Sequence, residues 1–279
     1  MSKGFVTKLI RAFPIMIFII IVTGCSSVKE TTSNWKNNEI KIDGDISDWQ
    51  NSLEAIPDKN FAVGFKNDDK FLYISLITDD RMKIMQMFRN GFITWLTPNG
   101  DNDKKFGIKF PFSNKENDAV QSQDMKREMF PPENVEKIIT RLLNEQKEFK
   151  IINKDKFPLN LLSLENTEGI KLALGYKANN FVYELQIPLA SSNHPTKINS
   201  LPGGKVIVYF ETEKSEFENT NGRAPESDVT PRGGNQMPGG GQRGSGQRGG
   251  GRMRQGTQGL QNSEPIDYSF NVLLQKQPN

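Results

Sequence analysis

Apolar and polar residues alternate with a period of two along much of this chain, and that period predicts strands. Ala62–Lys66 and Phe71–Thr78 flank the turn signal Asn67-Asp68-Asp69-Lys70 and predict a hairpin. In the second run both alternating sets are apolar (Leu72, Ile74, Leu76 and Phe71, Tyr73, Ile77), which predicts a central strand covered on both faces. Phe92–Thr97 and Phe106–Phe110 predict a second hairpin around Pro98-Asn99-Gly100. Ile170–Lys177, Phe181–Ile187, Lys205–Glu211 and 266–274 predict four more strands. Glu39–Ile42 also alternates and leads into the turn Asp43-Gly44-Asp45, with a short helical turn at Ile46–Trp49.

Two segments break the period. Asp79-Asp80 opens a short helix reaching Phe88, with Met82 and Met85 on one side. Pro131-Pro132 opens an amphipathic helix in which Val135, Ile138, Ile139, Leu142 and Leu143 share a face. Glu133 and Glu136 fall in its first turn, where the helix dipole favours acids. This helical insert is expected over 132–149. Gly233–Gly259 holds 12 of the chain's 24 glycines and cannot build a core, so a disordered loop is expected over 222–263, before the last strand.

Composition bears most on the amino terminus. Lys3, Lys8 and Arg11 precede an apolar run from Ala12 to Val22, followed by Thr23, Gly24 and Cys25, the only cysteine among 279 residues. The run is shorter than the roughly 20 residues of a membrane-spanning helix. The layout resembles a bacterial lipoprotein signal peptide over 1–24. The resemblance implies cleavage before Cys25 and its acylation, palmitate included, so that membrane lipid is the first partner. Ser26 after the cysteine points by resemblance to the outer membrane of the cell envelope. Residues 25–37 are polar and read as a flexible tether carrying Trp35, with the domain filling 38–279. The signal accounts for the whole formal charge of +3, so the chain from Cys25 sums to about zero. Arg232, Arg243, Arg248, Arg252 and Arg254 lie in an acid-free run, and the rest is acidic. No overall basic face argues for nucleic acid.

Ile42-Asp43-Gly44-Asp45-Ile46-Ser47-Asp48-Trp49, the hairpin Asn67–Leu76, Gly91–Asn99 and Tyr183–Leu189 occur in an order that resembles carbohydrate-binding module family 9 and the wider DOMON-like group. Gly91–Trp95 with Phe106–Pro111 resembles lipoproteins of the Bacteroidetes type that carry such a domain. The resemblance implies an all-β antiparallel sandwich of roughly nine to eleven strands with one inserted helix. The physical reading of Asp43, Gly44, Trp49 and Pro188 is structural: a turn, a large ring over the end of the sandwich, and a strand end where proline lacks a donor.

The function classes follow from side-chain chemistry. Sugar recognition needs aromatic faces beside polar groups, and the candidates are Trp95, Tyr73 and Glu184. Trp95 lies mid-strand, where an inward ring is the commoner placement. The paired tryptophans that clamp sugar in family members cannot be matched here residue by residue. Calcium would draw on Asp43, Asp45 and Asp48, or on Asn99, Asp101 and Asp103, neither set completing a calcium loop. Haem, bound by some relatives, would draw on His194, the single histidine, or on Met82, Met85 and Met87. Catalysis would need His194 as a base, or Glu184 and Glu211 paired across neighbouring strands. No set completes a catalytic constellation, so the expectation is not an enzyme. Three readings stand: a lipid-anchored module for a glycan, a structural or partner-binding lipoprotein without a small ligand whose Gly/Arg-rich loop makes the contact, and a haem domain for electron transfer.

Overall fold

In the computed structural model, residues 28–56, 59–98, 103–104, 106–112, 135–153, 160–213 and 264–278 are described. The expected signal segment with Cys25, residues 222–263 of the expected loop, Asn99 and Asp101 lie outside them. Among the described residues thirteen strands form two sheets, and the class is all-β, as the alternation predicts. Sheet A runs in the order β1 (Lys29–Thr32), β13 (Asp267–Leu273), β12 (Lys205–Thr212), β6 (Phe92–Pro98), β7 (Phe106–Lys109), β8 (Glu148–Asn153), β9 (Asn160–Ser163). Sheet B runs β10 (Lys171–Lys177), β11 (Asn180–Pro188), β5 (Phe71–Thr78), β4 (Phe61–Asn67), β2 (Asn34–Trp35), with β3 (Leu53–Ile56) also on β4.

The core lies between the sheets. Leu72, Ile74 and Leu76 of β5 and Phe181, Tyr183, Leu185 and Ile187 of β11 face Phe92 and Leu96 of β6 and Val206, Val208 and Phe210 of β12. Phe92 stacks on Phe210 at 5.8 Å and meets Tyr183 edge-on at 5.2 Å, geometries that the ring quadrupoles favour. The Tyr183 hydroxyl and Thr94 Oγ1, both buried, satisfy each other at 3.0 Å across the layers. Burial pushes the Tyr183 phenol well above its ordinary range. β5 is central, between β11 and β4, as its two apolar faces predict.

Among the described residues there are two α-helices. α1 (Arg81–Asn90) starts where Asp80 accepts from the N–H groups of Met82 and Lys83, and stops at Gly91, whose φ of 81° favours glycine. Its Ile84, Met85, Met87 and Phe88 enter the core, and Phe88 meets Phe181 of β11 edge-on at 5.8 Å. α2 (Val135–Glu145) buries Val135, Ile138, Ile139 and Leu142 and packs against β10.

Three expectations are corrected. The tether expected at 25–37 is partly structure: β1 pairs in parallel with β13 from Lys29↔Phe270 to Thr32↔Leu273, and β2 pairs in parallel with β4. At Ser33 the chain passes from one sheet to the other. Ser33 Oγ and Asn67 Oδ1 bond to each other and both accept the Gln275 N–H at 3.0 Å, while Asn67 Nδ2 donates to the Gln275 carbonyl at 2.9 Å. These bonds are mostly to backbone, so a polar sequence satisfies them as well as an apolar one. The helical insert ends at Glu145 and not at 149, because Phe149 and Ile151 alternate inward on β8. Glu39–Ile42 forms no strand, although Ile40 and Ile42 still pack inward on sheet B.

Candidate functional site

The three candidate ligand residues occupy three different settings. Glu184 sits mid-β11 on the outer face of sheet B, wholly buried. Its Oε1 accepts from the Trp49 indole N–H at 2.6 Å. Its Oε2 accepts from the Gly44 N–H at 2.6 Å and the Asp43 N–H at 2.9 Å. Burial raises its pKa, and these bonds oppose the rise. Both oxygens are thus occupied by the chain's own donors.

The local sequence accounts for this clamp. Gly44 adopts φ of 81°, and a Cβ there would stand 2.7 Å from the Leu174 carbonyl. Gly175, beneath it on β10, leaves the space in which the Gly44 carbonyl lies. Trp49 lies across Gly64, where an added Cβ would come 2.8 Å from the ring. Lys66 Nζ stands 5.5 Å from the ring centroid and donates to the Asp48 carbonyl at 2.6 Å. Trp49 therefore covers the outer face of sheet B with Ile40 and Tyr73, and does not close the end of the sandwich as expected. Pro188 ends β11 as the sequence predicts.

Tyr73 belongs to the same covered face. Its hydroxyl donates to Asp68 Oδ2 at 2.9 Å and accepts from Lys36 Nζ at 2.9 Å, and Lys36 and Asp68 pair at 2.9 Å. Burial pushes the phenol up to about 12. Asp68 feels the opposing pull of burial, but bonds from Lys36, the Lys70 and Phe71 N–H groups and Tyr73 hold it below its ordinary value. This triad fastens the segment after β2 to the β4–β5 turn.

Trp95 is elsewhere, on the outer face of sheet A. The expectation of an inward ring is corrected: Phe92, Thr94 and Leu96 take the inner face of β6, and Ile93, Trp95 and Thr97 the outer. The indole lies on Gly107 of β7, where an added Cβ would stand 2.6 Å from the ring. Its N–H donates to Glu211 Oε1 at 2.6 Å. Glu211 Oε2 pairs with Lys104, whose ammonium sits 5.2 Å from the Tyr209 ring centroid. Tyr209 is directly opposite Trp95 in the β12–β6 register. Beside them Lys109 and Glu213 pair at 2.7 Å. Trp95 is 5% exposed, while Tyr209, Lys104 and Glu211 are half-buried.

Glu211, Lys104 and Tyr209 are site neighbours that the sequence reading did not assemble. The signal was the alternation itself, because an antiparallel β6–β12 pair with outward Trp95 puts odd positions of β12 beside it. The proposed pairing of Glu184 with Glu211 is corrected, since β11 and β12 lie in opposite sheets.

The acidic turn residues serve the backbone. Asp43 Oδ1 accepts from the Asp45 N–H, Asp45 Oδ1 from the Ser47 N–H and Asp48 Oδ2 from the Lys41 N–H, at 2.8 to 3.0 Å. The Asp103 carbonyl accepts from Thr97 Oγ1 at 3.0 Å. Among the described residues no group of three His, Cys, Asp or Glu is placed to hold a metal ion. The calcium reading is therefore left without a ligand set there. Three of the four residues read for haem have contacts within the chain, and Met82 is half-buried on α1. His194 stands with Nδ1 3.2 Å from the Thr167 carbonyl and its ring beside Phe71, and Met85 and Met87 are buried in the core.

No protein-family model matches the chain, and no curated protein matches it. Among solved structures it is similar to a carbohydrate-binding module of family 9 from Caldicellulosiruptor kristjanssonii in complex with glucose, at 12% identity and a TM-score of 0.32, over 67% of this chain and 79% of that one. It is likewise similar to such a module from the same organism in complex with cellotriose, at 13% identity and a TM-score of 0.34, over 68% and 79%.

Proposed function

We propose that this protein is a non-catalytic, lipid-anchored recognition domain of the bacterial envelope, and that the outer face of sheet A around Trp95 is its binding face for a glycan. The observation that carries the binding face is the use already made of the other candidates. Glu184 and Tyr73 are committed to holding the chain's own turns, whereas Trp95 lies beside half-buried Tyr209, Lys104 and Glu211. Aromatic carbon flanked by an ammonium and a carboxylate suits a sugar, which offers C–H faces to rings and hydroxyls to charges. The one carboxylate pair that the sequence offered for catalysis is not formed: Glu184 and Glu211 lie in opposite sheets, and both Glu184 oxygens are taken. The anchor is supported by the leader sequence before Cys25.

A second reading is favoured by the 5% exposure of Trp95 and by its bonded indole N–H. In it the face docks an envelope protein through Tyr209 and the charges around it, and no pyranose stacks on Trp95. Glycan-array binding by the chain from Ser26 onward, compared with Tyr209→Ala and Lys104→Ala variants, separates the two. Binding that both variants lose supports the glycan. A silent array, with an envelope protein cross-linking to a photoreactive residue at position 209, supports the second reading and overturns the first.

A further inference from the structure

We infer that the end of the sandwich capped by α1 rests on the anionic phospholipid headgroups of the bilayer holding the anchor, with Arg81, Lys83 and Arg89 meeting the phosphates. The inference rests on the proposed acylation of Cys25. Its geometry comes from the strand register. Lys29 pairs with Phe270, Phe270 with Val208 and Val208 with Leu96. Those partners lie four residues short of the sheet's end at Thr212 and Phe92, which pair with each other. Cys25 also precedes Lys29 by four residues. A chain spans at most about 3.3–3.6 Å per residue, so four residues reach about 14 Å, and a strand rises by nearly as much over the same count. The leash is therefore about as long as the depth at which β1 begins. A lipid on Cys25 can enter the bilayer end-on only with the rim of the sandwich at the headgroups.

The helix at that rim has the surface for this contact. α1 follows β5 and precedes β6 at the same end, and it buries Ile84, Met85, Met87 and Phe88 against both sheets. Arg81 and Arg89 are exposed on it, Lys83 is half-buried and donates to the Tyr268 hydroxyl at 3.2 Å, and Arg81–Asn90 contains no acid. Asp79 and Asp267 at the same end are exposed, and the other acids near α1 have partners within the chain. Asp80 caps α1, Glu213 pairs with Lys109 and Glu264 with Lys59 at 3.3 Å. Lys83 and Lys59 lie over the Tyr268 ring at 5.6 and 5.4 Å, which gives the rim an aromatic ring with ammonium groups at the level of an interface.

The test uses the full lipidated protein in phosphatidylcholine vesicles with and without phosphatidylglycerol. Single nitroxide labels are placed at Asn90→Cys on the rim, Lys70→Cys at the opposite end and Glu30→Cys on the β1 edge. On anionic vesicles the rim label is expected to lose collisions with a water-soluble nickel complex several-fold, with the other two unchanged. Added salt, or the combined Arg81→Gln, Lys83→Gln and Arg89→Gln variant, is expected to restore them while the protein still floats with the vesicles. A floating protein whose rim and far-end labels are equally accessible, or whose edge label is protected instead, overturns the inference alone. A wild-type protein that does not float overturns the anchor and the inference together.

Discussion

The Trp49 indole donates to the Glu184 carboxylate at 2.6 Å across 135 residues of chain, and the other oxygen of the same carboxylate holds the Asp43-Gly44 turn. One buried acid thus fixes an indole and two backbone N–H groups over a central strand. Replacing Glu184 with Ala orphans all three donors. A buried unmet donor costs roughly 1–3 kcal/mol, so urea denaturation of Glu184→Ala is expected to show a midpoint lower by that order or more. Trp49→Ala removes a filled volume as well, and about 3–5 kcal/mol is expected. The double variant is expected to lose less than the sum, because the two residues share one bond.

The same turn tests close packing. A Cβ at Gly175 would collide with the Gly44 carbonyl oxygen, 1.9 Å away. Gly175→Ala is expected to destabilise the fold by about 1–3 kcal/mol, the cost of overpacking. Ala173→Gly, two residues earlier on the same strand, serves as the reference in thermal melts.

The Lys36–Tyr73–Asp68 triad sets a pH dependence. Asp68 is held below its ordinary value of 3.8 in the folded chain. A depressed folded pKa means that the unfolded state binds the proton more readily, so the contribution is full above 3.8 and is lost as pH falls through the lower folded value. Asp68→Asn is therefore expected to lower stability at neutral pH, and the gap to wild type is expected to close below pH 3.8. Urea melts from neutral to acid pH measure it. A gap that stays constant down to the acid limit contradicts the assignment.

Most of the sandwich was legible because its central strands carry apolar residues at alternate positions. β5, β6, β11 and β12 bury Leu72, Leu96, Leu185 and Val208 between the layers, and alternation of that kind survives in the sequence. β1 and β2 were not legible. They add to sheet edges through backbone bonds, and Lys-Glu-Thr-Thr-Ser-Asn-Trp needs no apolar face to do so. β8 left a signal, Phe149 and Ile151, that the preceding helix obscured. At the candidate site, Trp95 could be found by residue type, but its face could not. Which of two apolar sets on β6 points inward depends on the pairing with β12 and on the void above Gly107.

The correction at the amino terminus makes its own prediction. A chain beginning at Asn38 lacks β1, β2, Ser33 and Lys36, and leaves Asn67 and Gln275 without their buried partner. It is expected to be much less stable than a chain beginning at Val28. Ser33→Ala alone is expected to cost roughly 1–3 kcal/mol in the longer chain. Equal thermal midpoints for the two truncations would show that the edge strands add nothing.

Metabolic labelling with palmitate in a bacterial host, followed by vesicle flotation, tests the envelope anchor that the functional reading depends on. The account predicts that label enters the wild-type chain, that Cys25→Ala abolishes it, and that only the labelled protein floats. Absence of label from wild type, or equal labelling of Cys25→Ala, contradicts it.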